Sequence, residues 1–174
     1  MKKLEMDTNK ELRSFQNYGW HKGFYNDADI TKALCAIDVA DFIEVPDDDE
    51  FPYSSAHELL RGSCHIFALG LEKVFGYTPY IIEGKNGRGF HSFCQVYNRR
   101  TWLYVDARGM TSSFDEFMDV AKEFVTDEYT IRPVAATDID EWKKDDEYYD
   151  LALEFAVALI KKYSDYYTNH KVSH

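Results

Sequence analysis

The chain has 174 residues, enough for one globular domain that buries roughly 70% of its unfolded surface. Hydrophobic residues make up 45% and aromatic residues 16%, which excludes wholesale disorder. The 20 Lys+Arg against 31 Asp+Glu leave a formal charge of -11, which argues against nucleic acid and anionic membranes as partners and favours either plain solubility or basic partners.

The start, MKKLEMDTNKELRSF, lacks the apolar stretch of a signal peptide, and no run reaches the length needed to cross a bilayer. Cys35, Cys64 and Cys94 are odd in number and form no CxxC pair, so neither a disulfide framework nor a structural zinc is expected. A reducing, cytoplasmic setting fits this usage. The expected organisation is a single α+β domain over 1–174, with an N-terminal helical region 1–45, a core over about 55–135 and a C-terminal amphipathic helix over 138–167.

In chain order, Ile30, Leu34, Ile37 and Phe42 recur at helical spacing and predict a helix over 29–42, with Cys35 in its core. Residues 44–52, EVPDDDEFP, place four acids between two prolines and read as a solvated connector. Ile66, Phe67, Leu69, Leu71 and Val74 predict a buried helix over 63–75, with Gly76 as C-cap. The next segments, TPYIIEG, FHSFCQVYN and TWLYVDAR, are short and rich in β-branched and aromatic residues. Asn86-Gly87 and Asn98-Arg99 stand at hairpin turns between them, so an antiparallel meander is expected. KNGRG, with no helix after it, reads as such a turn and not as a phosphate loop.

Ser113 and Glu116 have the spacing of a capping box before Phe117, Val120, Ala121 and Phe124, and YTIRPV reads as one more strand. From 138 to 167, Trp142, Tyr149, Ala152, Phe155, Ala156, Leu159, Ile160 and Tyr163 build one apolar stripe.

Three residues that carry chemistry occur in order: Cys64 at a helix start, His91 early in one strand and Asp106 at the end of the next. A cysteine attacks as its thiolate, and the positive end of a helix lowers its pKa. Gly62-Ser63 lets the chain turn sharply into the helix, and the Cys64 amide is placed as an oxyanion donor. If the two strands pair through Asn98-Arg99, residues whose numbers add to 197 lie opposite, which sets His91 across from Asp106 with Cβ atoms about 5 Å apart. A one-residue slip would put the two on opposite faces, and Asp106 has an alternative partner in Arg108. His65 points about 100° away from Cys64 on a helix, so it is expected to line the pocket and not to act as the base. Cys94 has the opposite pointing parity to His91 and reads as core. His57 and His21 lack spaced partners, so no metal and no other cofactor is expected.

The runs GSCHIFALGL and HSFCQVYNRRTWLYVDARG, with the spacing H-x10-W-x3-D, resemble the Cys, His, Asp core of the transglutaminase-like superfamily. Arylamine N-acetyltransferases and the broader papain-like group share its logic. The resemblance covers about residues 60–115, a third of the chain. It implies a nucleophile-bearing helix packed on an antiparallel sheet, with Cys64 as nucleophile, His91 as general base and acid, Asp106 as orienter and Trp102 as a wall of the core. Family members often carry a Trp near the nucleophile and another soon after the His; His65 and Phe93 stand there in this chain. Ser63, His65, Phe93 and Trp102 are thus the residues expected at the substrate. Papain-like proteases often place a Gln before the Cys as oxyanion donor, whereas here the stretch holds His57, Glu58 and Arg61, and a second donor is unassigned.

The expected chemistry is thioester-forming attack on an amide or peptide bond, as in a thiol protease, deamidase or transglutaminase, with a protein or peptide substrate, for which the acidic charge of the chain favours a basic one. The rival expectation is a non-catalytic acidic inhibitor or binding protein, whose clusters at 47–50 and 138–147 engage a basic partner or mimic nucleic acid.

Overall fold

The computed structural model of the chain describes residues 28–118 and 128–168. They form a mixed α+β structure around a five-stranded antiparallel sheet. Strands β1 (Thr78–Gly84), β2 (Gly89–Tyr97) and β3 (Trp102–Asp106) make the expected meander. Its turns use the predicted residues: Gly87 and Arg99 both take φ 75. The Asn98 side chain accepts from the amides of Arg100 and Thr101, and Asn86 accepts from the Arg88 amide, so each asparagine satisfies the turn that it opens.

Two further strands complete the sheet in the order β4-β3-β2-β1-β5. The predicted YTIRPV strand is β5 (Tyr129–Pro133), antiparallel to β1. Strand β4 (Gly109–Thr111) was not legible: three residues are too few to show alternation, and it exists because Gly109, at φ 120, reverses the chain so that Asp106 pairs with it.

Helix α1 spans Ala28–Cys35 and α2 spans Cys64–Phe75. Residues Ile66 to Leu71 of α2 are all buried, the pattern of a helix enclosed on every side. The sheet lies on one side of it and α5 (Tyr149–Lys162) on the other, the latter through Ala152, Phe155, Ala156, Leu159 and Ile160. Gly76 closes α2 in the left-handed conformation, as expected. Gly70 lets α2 and α5 approach: a Cβ there would lie 2.9 Å from Ile160 Cδ1 and 3.2 Å from Ala156 Cβ. Gly70→Ala is therefore expected to destabilise the fold by about 1–3 kcal/mol through overpacking, read as a lower urea midpoint with an unchanged slope.

Three expectations are corrected. The helix predicted over 29–42 stops at Cys35, because tertiary pairing captures the next residues, 37 to 39. Ala56 N donates to Ile37 O, Val39 N donates to Ser54 O, and Asp38 caps a short 3-10 turn at Val39–Asp41. Cys35 is exposed, while Ala33 and Leu34 point inward. The C-terminal helix is divided into α4 (Ala136–Asp145) and α5, with a 3-10 turn at Ser164–Tyr166. Asp146 breaks it by turning extended and accepting from the Tyr148 amide, while the Tyr148 hydroxyl bonds Asp48 of the acidic connector.

Helix α3 spans Phe114–Met118 and starts as predicted, with Ser113 Oγ accepting from the Glu116 amide. The expected continuation through Val120, Ala121 and Phe124, the region 1–27 and His21 lie outside the described residues. Among the described residues no helix is long and apolar enough to cross a membrane.

Candidate active site

Cys64 opens α2, and the turn into it needs glycine: Gly62 sits at φ 103, a region that side-chain-bearing residues rarely adopt. The entry is braced by a capping box between Ser55 and Glu58 and by Ser63 N donating to Glu58 O. Cys64 is half-buried. The β2–β3 ladder begins only at Cys94↔Val105, so Ser92 lies past its end, and the Ser92 amide donates to Cys64 Sγ at 3.3 Å. The sulfur thus takes a place a third-strand carbonyl would otherwise occupy.

His91 Nε2 and Asp106 Oδ2 are 3.0 Å apart, with both residues buried. The register differs from the expected one by two residues. Cys94 pairs with Val105 and Tyr97 with Trp102, so opposed numbers add to 199, and Asp106 falls diagonal to His91. A shift of two keeps the side-chain parity, so both residues still share a face.

Arg108 also holds Asp106. Its amide and Nε donate to Oδ1 at 2.9 and 3.0 Å, Nε also reaches Oδ2 at 3.1 Å, and Nη2 bonds Oδ2. Orientation of His91 and pairing with Arg108, alternatives in the sequence, are simultaneous here. The adjacent Ala107 carbonyl accepts from Tyr167 Oη at 3.0 Å, and the Tyr167 carbonyl accepts from Tyr77 Oη, so the C-terminal turn braces the Asp106 corner.

These contacts set the charges. Burial pushes the Cys64 thiol up, but the His91 charge, the polar side chains of His65 and His91 and the Ser92 amide outweigh it and bring the thiol down to about 5. Burial alone would lower His91; the Cys64 charge and the bond to Asp106 instead raise it to about 9. Burial opposes ionisation of Asp106, yet Arg108 and His91 hold its carboxyl well below the usual carboxylate range. Near neutral pH the three groups are therefore thiolate, imidazolium and carboxylate in sequence. Cys94 is the opposite case: its Sγ donates to Ala68 O, and burial pushes its thiol up.

A cleft of about 750 Å³ opens on this row. Cys64 and His91 line it, with Ile81 and Gly89 from the sheet and Trp142 from α4. Arg132 bridges Glu83 and Asp138 along it at 2.7–2.9 Å. Of the residues expected at the substrate, only His65 lines the cleft, its ring 4.7 Å from that of Trp142. Ser63 instead commits its hydroxyl to Tyr53 at 2.7 Å. Phe93 is 1% exposed and packs on Phe117, Tyr80 and Tyr104. Trp102 is no wall of the core: it is 46% exposed at the far end of β3, against Tyr97. Its strand neighbour Leu103 points inward, which leaves Trp102 on the outer face.

Trp142, Tyr167 and the Arg132 bridge were missed. Trp142 appeared only as one member of a stripe, and the break at Asp146 that makes α4 a cleft wall has no periodic signature. Among the described residues no three His, Cys, Asp or Glu side chains gather as a metal would require. No family model, curated protein or solved structure matches the chain.

Proposed function

We propose that this protein is a cysteine-dependent acyl-transfer enzyme of the transglutaminase-like and papain-like kind, acting on an amide or peptide bond through a thioester. The observation that carries this reading is the row of Cys64, His91 and Asp106, whose sulfur and imidazole face one open cleft while the carboxylate stands behind them.

The thiolate exists before substrate arrives, so His91 has already taken the thiol proton. Cys64 Sγ attacks the carbonyl carbon, the carbonyl electron pair moves to oxygen, and on collapse the departing amine takes the His91 proton. With Nε2 engaged by Asp106, Nδ1 is the nitrogen left to carry that proton towards sulfur and leaving group. Water then releases an acid, as in hydrolysis or deamidation, and an amine gives transfer. The acyl donor is a protein or peptide side chain or backbone that reaches into the cleft.

Alkylation by iodoacetamide tests the reading in a Cys35→Ser background, since Cys35 is the exposed thiol. Cys64 is expected to be labelled at about pH 6, where an ordinary thiol is almost wholly protonated, with a rate that rises through about pH 5 to a plateau. Labelling that begins only near pH 8 to 9, as for a free cysteine, would overturn it.

A further inference from the structure

We propose that His65, held against Trp142, is the second oxyanion donor of the Cys64 site, and that Trp142 is the residue that positions it. This rests on the acyl-transfer reading and deepens it. His65 follows the nucleophile directly, its ring lines the cleft, and the indole of Trp142 lies 4.7 Å away at 41°. It is also one of the groups that lower the Cys64 thiol. A donor that lines the same cleft directly beside the attacking residue is within a small movement of the carbonyl oxygen once the C–S bond forms.

Two other donors near the sulfur are committed. His91 Nε2 belongs to Asp106, and its remaining proton goes to the leaving group. The Ser92 amide donates to the sulfur. Upstream of Cys64, Glu58 is an acceptor tied to Ser54 and Ser55, and Arg61, which also lines the cleft, is exposed to solvent there. The Cys64 amide, in the open first turn of α2, is the first donor and the His65 imidazole the second.

Two probes separate a role at the oxyanion from a role at the thiolate. p-Nitrophenyl acetate acylates the sulfur: the C–S bond forms, the carbonyl pair moves to oxygen, and collapse expels p-nitrophenolate and leaves an acetyl thioester. Iodoacetamide alkylates the same sulfur by displacing iodide from a saturated carbon, and no oxyanion forms.

In Cys35→Ser protein, His65→Ala and His65→Leu are expected to slow acetylation of Cys64 roughly 10- to 100-fold. Alkylation at the same thiolate fraction should stay within about threefold, beneath the scale of one charge-assisted hydrogen bond. Trp142→Ala, which keeps the imidazole and removes its support, is expected to shift the same ratio by a smaller amount. Equal losses in both reactions would mean that His65 acts only on the thiolate and would overturn the proposal, as would an unchanged ratio in all three variants. A parent protein that resists alkylation at about pH 6 would instead overturn the acyl-transfer reading itself.

Discussion

Cys64→Ala is expected to reduce acyl transfer from p-nitrophenyl acetate to the buffer background, because losing the nucleophile of a comparable triad costs on the order of 10⁶ in turnover. Cys94 cannot substitute, since it is buried with its sulfur on Ala68. The same variant is expected to change the pH dependence of stability. Unfolded, the thiol and imidazole titrate near 9.0 and 6.5; folded, near 5 and 9.

The lowered thiol stabilises the fold fully above pH 9.0 and loses that contribution as pH falls through about 5. The raised imidazole stabilises it fully below pH 6.5 and loses that as pH rises through about 9. Together, the folded and unfolded pairs each bind one proton between about 6.5 and 9, so stability is level there. Between about 5 and 6.5 the unfolded pair binds one proton more, so stability climbs with pH. Without the thiol the imidazole keeps only Asp106 against the burial that lowers it, so its folded pKa falls below that in the parent. The parent should therefore gain stability over Cys64→Ala as pH rises from about 5. Urea unfolding of both proteins across this range reads the contrast, and parallel curves would refute the ion pair.

Asp106→Asn is expected to cost about 3–5 kcal/mol, since it removes the carboxylate charge that the buried Arg108 guanidinium bonds. The substitution keeps the shape but not the chemistry. Asp106 Oδ2 meets His91 Nε2 and Arg108 Nη2, and Oδ1 meets the Arg108 amide and Nε. All four neighbours are donors to a carboxylate, whereas an amide has one oxygen and one NH2. Either orientation therefore sets donor against donor. His91 then holds its proton less firmly, so alkylation of Cys64 at about pH 6 should fall at least about tenfold, together with the urea midpoint. If stability falls and thiol reactivity does not, Asp106 serves Arg108 alone and has no part in activating Cys64.

What the sequence determined by itself was local and periodic. The apolar run after Cys64 could only be a buried helix, and Gly62 and Gly76 marked its ends because those points need left-handed backbone. The β1-β2-β3 meander followed from short segments rich in β-branched and aromatic residues and from the asparagine-bearing turns between them. The shared face of His91 and Asp106 was legible for the same reason: a strand repeats every two residues, so an error of two in register changed the partner and not the face.

Tertiary structure decided everything that depends on contacts between distant segments. Pairing with residues 54–56 stopped the first helix at Cys35, and Asp146 turned one long stripe into two helices, one of which walls the cleft. Arg108 became a buried counter-ion because β4 folds back beside it, and Cys64 found the Ser92 amide because β3 ends too soon to claim it. Helix and strand periods arise from neighbouring residues and can be read along the chain. The charge state of a thiol depends on which distant dipoles and ions surround it, and only the folded arrangement brings them together.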